Sequence, residues 1–132
     1  MSRWWAQLRR ASGVRGLPMI LQGQVGECGL AAMAMIAHYH GCHIGLAELR
    51  RRFLLSRQGT NLANLVAIAQ ALGLQARALR LEMDALPELQ LPCVVHWDLN
   101  HFVVLKRVGT RRLQIHDPAS GPRSLTTGAH PL

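Results

Sequence analysis

Acidic side chains are scarce in this sequence. Seven Asp and Glu stand against fifteen Lys and Arg, a formal net charge of +8. Such a charge draws acidic partners: nucleic acid, anionic lipid or an acidic peptide. Aromatic residues are few, with one Tyr and two Phe, a poor supply for base stacking. The basic residues are also spread out, and only Arg50-Arg51-Arg52 forms a run, so no nucleic-acid partner is expected. No apolar run reaches the roughly 18 residues that a membrane span requires. Arg9, Arg10 and Arg15 interrupt the apolar residues near the start, which excludes a signal peptide there. The three cysteines, Cys28, Cys42 and Cys93, are odd in number and irregularly spaced. They suit thiols in a reducing compartment better than a disulfide framework. There is no internal repeat and no low-complexity segment.

What is present is enough for one domain with a real core: 132 residues, 49% of them hydrophobic. The chain is organised around the stretch from Gln22 to Gly41. A polar, glycine-containing loop leads to Cys28, where a helix should begin. The helix that follows is apolar on nearly every side, the mark of a buried helix. Gly41 stands where a helix C-cap glycine belongs. A cysteine on a first helical turn feels unpaired N–H groups and the positive end of the dipole, and both favour thiolate. Cys28 therefore reads either as a nucleophile or as a small core residue, and this stretch alone does not choose.

Residues 1–17 read as a flexible basic lead-in, whose Trp4-Trp5 pair could lie on a membrane surface, a neighbouring domain or the domain's own back. Leu46 to Phe53 is a short second helix, with the arginines on its solvated side. Thr60 or Asn61 can cap a third helix. In it Leu62, Leu65, Ala69 and Leu72 form one stripe, and Gly73 ends it. Gln75 to Leu81 alternates and reads as a strand. Asp84 to Leu91, with Pro87, is a turn or a single helical turn. Strands are expected at Cys93–Trp97, at His101–Arg107 and at Arg112–His116, the last two joined by a hairpin turn at Val108-Gly109-Thr110. A tight turn at Asp117–Gly121 precedes a short strand at Pro122–Thr126. Helices first and strands second imply an α+β fold, with helices packed on one side of an antiparallel sheet.

A cysteine nucleophile needs a base and a group to orient that base. Near neutral pH the base is a histidine. The seven candidates are His38, His40, His43, His96, His101, His116 and His130. His101 heads an apolar strand, a rigid position still open to a cleft. A hairpin turn centred on Gly109 places His101 directly opposite Asp117, each eight residues from the centre. Cross-strand partners of that kind are within reach on one face. Asp98 is the competing acid. The order helix-Cys, strand-His, strand-end Asp is the papain-like order.

The local sequence goes further. Gln22 followed by Glu27-Cys28-Gly29-Leu30-Ala31, then His96-Trp97-Asp98 with His101-Phe102-Val103-Val104-Leu105, then Ile115-His116-Asp117-Pro118-Ala119 with Gly121, resembles the C39 peptidases. These are the cysteine-protease domains of peptidase-containing bacteriocin ABC exporters of the colicin V secretion type. The resemblance covers residues 18–127 in one register and leaves 128–132 as a tail or shortened end. It implies a papain-like fold, Cys28 as nucleophile, His101 as base, Asp117 as orienting acid and Gln22 as amide donor to the oxyanion. The Cys28 backbone N–H would be the second donor. It implies removal of a double-glycine leader from a precursor peptide, on the cytoplasmic side of the bacterial inner membrane, before export. The implied partners are that peptide and the transmembrane and nucleotide-binding domains of a parent exporter. No cofactor or metal is implied for the peptidase domain, and ATP would bind elsewhere in the parent. Gln24 stands where many members carry an acidic residue, which removes one partner for a local salt bridge.

Rival readings differ in kind. His38, His40, Cys42 and His43 are dense in ligand types, but alternate residues on a helix end point roughly 200° apart and do not converge. A non-catalytic leader-binding domain would lack the nucleophile, and Cys28 is present. A nucleic-acid binder would show strongly salt-dependent affinity.

Overall fold

The computed structural model describes residues 16–53, 59–76, 78, 79, 83–97 and 101–126. Trp4-Trp5, Asp98, His130 and the tail at 128–132 lie outside these residues. Helix α1 spans Cys28–Tyr39, and every residue from Cys28 to Ala37 is buried. Four alanines keep it slim and favour the helix, so it can sit deep in the domain. It closes in a Schellman arrangement: Cys42 N–H donates to Ala37 O at 2.8 Å and Gly41 N–H to His38 O at 3.0 Å. Gly41 meets the left-handed backbone this requires, with φ of 90°.

Helix α2, Leu46–Arg52, turns Leu49 into the core. Helix α3, Leu62–Ala71, is capped by Asn61, whose Oδ1 accepts from Asn64 N–H at 2.8 Å. Of the two candidate caps, Asn61 is the one in use. Met83–Glu88 forms a short 3-10 helix containing Pro87. Among the described residues no helix is long and apolar enough to cross a membrane.

Four strands follow: β1 Cys93–Trp97, β2 His101–Val108, β3 Arg112–Asp117 and β4 Gly121–Thr126. They form one antiparallel meander in the order β1-β2-β3-β4. Both faces of the central strands are covered, which is why Phe102 to Leu105 is an unbroken apolar run. Phe102 and Val104 pack with Met33, Ile36 and Leu65 of the helices. Val103 and Leu105 pack the other way, with Trp97, Leu113 and Leu86. Leu17, Met19 and Ile20 lie against the helical side of the core. Packing therefore begins inside the segment read from sequence as a lead-in.

Two expectations are corrected. The alternating residues 75, 76, 78 and 79 form no strand. Alternation needs a ladder partner, and among the described residues β1 pairs only with β2. The second correction concerns register. Gly109 N–H donates to Arg112 O at 2.8 Å, so Thr110 and Arg111 make the turn and its centre lies beyond Gly109. Val108 pairs with Leu113 and Arg107 with Gln114, but Leu105 pairs with Ile115 and Val104 with His116. Lys106 is an extra residue, a β-bulge. Continuing this register, Asp117 is level with Val103 and diagonal to His101. Turn and bulge together displace the pairing by an even number of residues. An odd displacement would put Asp117 on the other face of the sheet, because side chains alternate.

Gly29 is a further packing constraint. A Cβ there would lie 2.5 Å from Thr60 Cγ2 and 3.3 Å from Leu65 Cδ2. Thr60 is stiff at χ1 and cannot swing clear easily. Gly29→Ala is expected to destabilise the fold by about 1–2 kcal/mol in urea unfolding, the overpacking cost less some helix-propensity gain. Adding Thr60→Ser, which removes the offending methyl, should recover most of the loss. A Gly29→Ala protein as stable as the parent would refute this packing account.

Candidate active site

Cys28 is the first residue of α1, and its sulfur accepts from the Phe102 backbone N–H at 3.4 Å. The helix start is thus pinned to the head of β2, one residue past His101. His101 opens β2 and is half-buried. Its Nε2 lies 2.7 Å from Asp117 Oδ1. Asp117 ends β3 and is buried. An ionised carboxylate can only accept, so Nε2 carries the proton and Nδ1 keeps the basic lone pair.

The diagonal placement suffices for the contact. The cross-strand partnership read from sequence is replaced by a diagonal one on the same face, and His101 and Asp117 still meet. Burial alone would raise the Asp117 carboxyl. Hydrogen bonds from Ala119 N–H, at 2.8 Å, and from His101 outweigh it and leave the carboxyl below its ordinary value. Arg123 Nη1 stands 3.8 Å from the other carboxylate oxygen. Asp98, the competing acid, lies outside the described residues.

Gln22 is fastened to the same corner. Its backbone N–H donates to Pro118 O at 2.9 Å, immediately after Asp117. Its side-chain Nε2 donates to Gln24 O at 3.2 Å. His116 stitches the neighbouring stretch, its Nδ1 lying 3.0 Å from Pro18 O. Burial holds its pKa below the ordinary value, so it stands as a neutral tether.

The sequence reading missed one pair. Glu27 is buried, and its carboxylate accepts from Gly23 and Gln24 N–H, both at 3.0 Å. Arg50 approaches it as a fork, Nη2 to Oε1 at 2.9 Å and Nε to Oε2. The Arg50 hydrogen bond holds the Glu27 carboxyl below its ordinary value, against burial. Arg50 is therefore not part of a merely solvated face, and the local salt bridge absent at Gln24 is made by Glu27. A signal was there: an acid next to the cysteine and four residues after a loop glycine. Its partner lies 23 residues away, and nothing local points to it.

The other thiols differ. Burial pushes the Cys93 thiol up to about 12, so it stays protonated. Cys42 is half-buried beyond the C-terminus of α1. His38 and His43 stack, ring centroids 4.1 Å apart. Among the described residues, no three His, Cys, Asp or Glu side chains gather as a metal site. A helix-start thiol, an imidazole oriented by a carboxylate and a nearby carboxamide are the parts that acyl transfer through a thioester requires.

Helices followed by this antiparallel sheet, with those parts at their junction, define the papain-like cysteine peptidase class. The comparisons narrow it. A sequence model of the peptidase C39 family matches residues 16–129, and the chain belongs to that family. It is 50% identical over 111 residues to the probable microcin-H47 secretion/processing ATP-binding protein of Escherichia coli. The match covers 84% of this chain and 16% of that protein. The colicin V secretion/processing ATP-binding protein of Escherichia coli is 48% identical over 112 residues, 85% of this chain and 16% of the relative. The chain thus spans about one sixth of the length of these relatives. A solved double glycine motif protease from an AMS/PCAT transporter, in complex with the leader peptide, superposes with a TM-score of 0.80. It is 34% identical, over 89% of this chain and 85% of that one.

The depressed Asp117 pKa has a consequence for stability. Its folded value lies below the ordinary value of about 3.9. Its ionised form therefore stabilises the fold at every pH above that value, and the contribution disappears as pH falls through the folded pKa. Asp117→Asn should lower the melting temperature at neutral pH, and the difference from the parent should shrink below about pH 4. Thermal unfolding from pH 2.5 to 7 measures it; a constant difference throughout would contradict the assignment.

Proposed function

We propose that this chain is a cysteine endopeptidase domain that removes the double-glycine leader from a bacteriocin-type precursor before export by an ABC transporter. The supporting observation is the Asp117-bound His101 at the strand end beside the Cys28 helix start, in a chain of the C39 family. In this reading His101 Nδ1 takes the Cys28 proton, and the thiolate attacks the carbonyl carbon of the second glycine. The tetrahedral oxyanion is met by a Gln22 amide N–H and the Cys28 backbone N–H. One such donor is typically worth about 3–4 kcal/mol of transition-state stabilisation. His101 then protonates the leaving amine. The acyl-enzyme is hydrolysed by water that His101 deprotonates, and Asp117 holds the imidazole tautomer throughout.

The substrate class follows from the family and from the leader-bound neighbour. Two glycines before the cut suit a narrow cleft that side chains would foul. Apolar leader residues would dock on the half-open recess lined by Met33, Leu62, Val66, Ala76 and Val94. The +8 charge would favour an acidic leader. The transmembrane and nucleotide-binding domains of a parent exporter are the proposed partners, on the cytoplasmic side of the inner membrane. ATP would bind in that parent, and the peptidase chemistry calls for no cofactor.

Cys28→Ala is expected to abolish cleavage of a Gly-Gly precursor with the fold retained, and the Cys42→Ala, Cys93→Ala double variant to remain active. The reverse pattern would overturn the assignment. Replacing either substrate glycine with Leu should lower kcat/KM by about 100-fold or more, since a displaced carbonyl loses attack geometry and oxyanion contacts together. Trimming apolar leader residues remote from the cut should chiefly raise KM. Equal cleavage of Gly-Gly and Leu-Leu peptides would sink the substrate class.

A further inference from the structure

The loop before Cys28 is held by a carboxylate that the scheme above does not use. Glu27 is only 7% exposed. It makes no side-chain cap on α1, although an acid bracing the helix would accept from its second or third N–H. Its carboxylate turns back and gathers the Gly23 and Gln24 N–H groups instead. Gln24 is then held by both of its backbone groups, because its carbonyl accepts from Glu27 N–H at 3.2 Å. That same carbonyl accepts from Gln22 Nε2.

A carboxamide has two N–H bonds. Gln24 O engages one, which fixes the direction of the other. Arg50 braces the arrangement from α2 with a forked contact. Gly23 leaves space for it, since a Cβ there would lie 3.1 Å from Arg50 Nη2. Oxyanion donors are effective when they are placed before the charge develops.

We propose that Glu27, braced by Arg50, is a positioning residue for the oxyanion donor. It holds the Gln24 backbone so that the Gln22 carboxamide keeps one N–H on the Gln24 carbonyl and presents the other to the reacting oxygen. The inference rests on the reading of Gln22 as that donor. Glu27 touches no reacting atom and acts only through Gln22.

Three measurements on the 132-residue chain separate this role from others. The first is kcat and KM for a synthetic peptide ending in Gly-Gly-aminocoumarin amide. The second is inhibition by the matching Gly-Gly nitrile. The Cys28 thiol adds across the C≡N bond: sulfur bonds carbon, the thiol proton passes through His101 to nitrogen, and that nitrogen takes the oxyanion's place. The third is alkylation of Cys28 by iodoacetamide, which displaces iodide and needs the thiolate but no oxyanion donor.

Glu27→Gln is expected to lower kcat about 10- to 100-fold, with a smaller change in KM, and to weaken the nitrile by a similar factor. Alkylation should stay within about twofold, since no oxyanion forms in that reaction. Arg50→Met should move the same quantities in the same direction, and it carries the test if Glu27→Gln fails to fold. The Gln22→Ala, Glu27→Gln double variant should be no worse than Gln22→Ala alone, because both remove one interaction. Additive losses, or alkylation slowed as much as kcat, would overturn the proposal, since Glu27 would then act apart from Gln22. A folded Glu27→Gln protein with parental kcat and nitrile affinity would overturn it too. If Gln22→Ala alone changes neither, the proposal falls with the donor assignment. Failure of the peptidase reading itself would look different: the parent chain would neither cleave the amide nor bind the nitrile.

Discussion

Everything at the site depends on one packing event, the burial of α1 against β2. A helix apolar on all sides has only one stable place, inside the domain, with sheet on one side and helices on the other. Phe102 and Val104 supply the sheet side, and Leu49 and Leu65 the helical side. Once α1 is seated, its first residue has no freedom left. Cys28 must meet the head of β2, and its contact with the Phe102 N–H marks the junction. Gly29 shows how tight the seat is, since even a methyl group would strike Thr60. The thiol is therefore located by core packing, and its chemistry inherits the rigidity of the core.

The second constraint is parity within the sheet. His101 and Asp117 sit on different strands, and their meeting depends on the chain length between them being right modulo two. The turn at Thr110-Arg111 and the bulge at Lys106 each disturb the simple hairpin, and the disturbances combine to an even displacement. This is why the pairing of His101 with Asp117 was legible in the sequence although its register was not. A turn read from glycine position alone is uncertain by a residue or two, and bulges leave little local trace in sequence. Side-chain alternation is more robust than exact register, and the side chains need only the face.

Other parts of the reading divide along the same line. Features set by local chemistry were legible: the Cys28 helix start, the closures at Gly41 and Gly73, the Asn61 cap, and the apolar strands. Features that require a distant partner were not. Gln75 to Leu81 carries a strand pattern, but its described residues join no strand ladder. Arg50 sits in a run of three arginines that looks like solvent decoration, yet it alone of the run meets the buried Glu27. At the site, the Cys28 helix start and the contact of His101 with Asp117 were legible, the first from the apolar helix and the second from the hairpin joining their strands. The Glu27 brace was invisible because no short-range rule ties the acid to a helix 23 residues away.

The scarcity of acid in the chain takes on a meaning in this light. Of the seven Asp and Glu, Glu27 and Asp117 are the buried ones among the described residues. A buried carboxylate is tolerated only when it is paired and hydrogen-bonded. Each of these has a cationic or ionisable partner and backbone N–H donors as well: Arg50 with Gly23 and Gln24, His101 with Ala119. They do not lie at random in the core. One fixes the loop on the amide side of Cys28 and the other fixes the imidazole. Gln22 N–H on Pro118 O joins the two sides, so the Gln22 loop and the Asp117 turn form a single frame around the helix start. Two of the seven acidic side chains thus sit inside that frame, while arginines such as Arg51, Arg107 and Arg112 remain exposed. A basic exterior draws acidic partners through its net field, whereas the two buried carboxylates act through short hydrogen bonds to fixed donors.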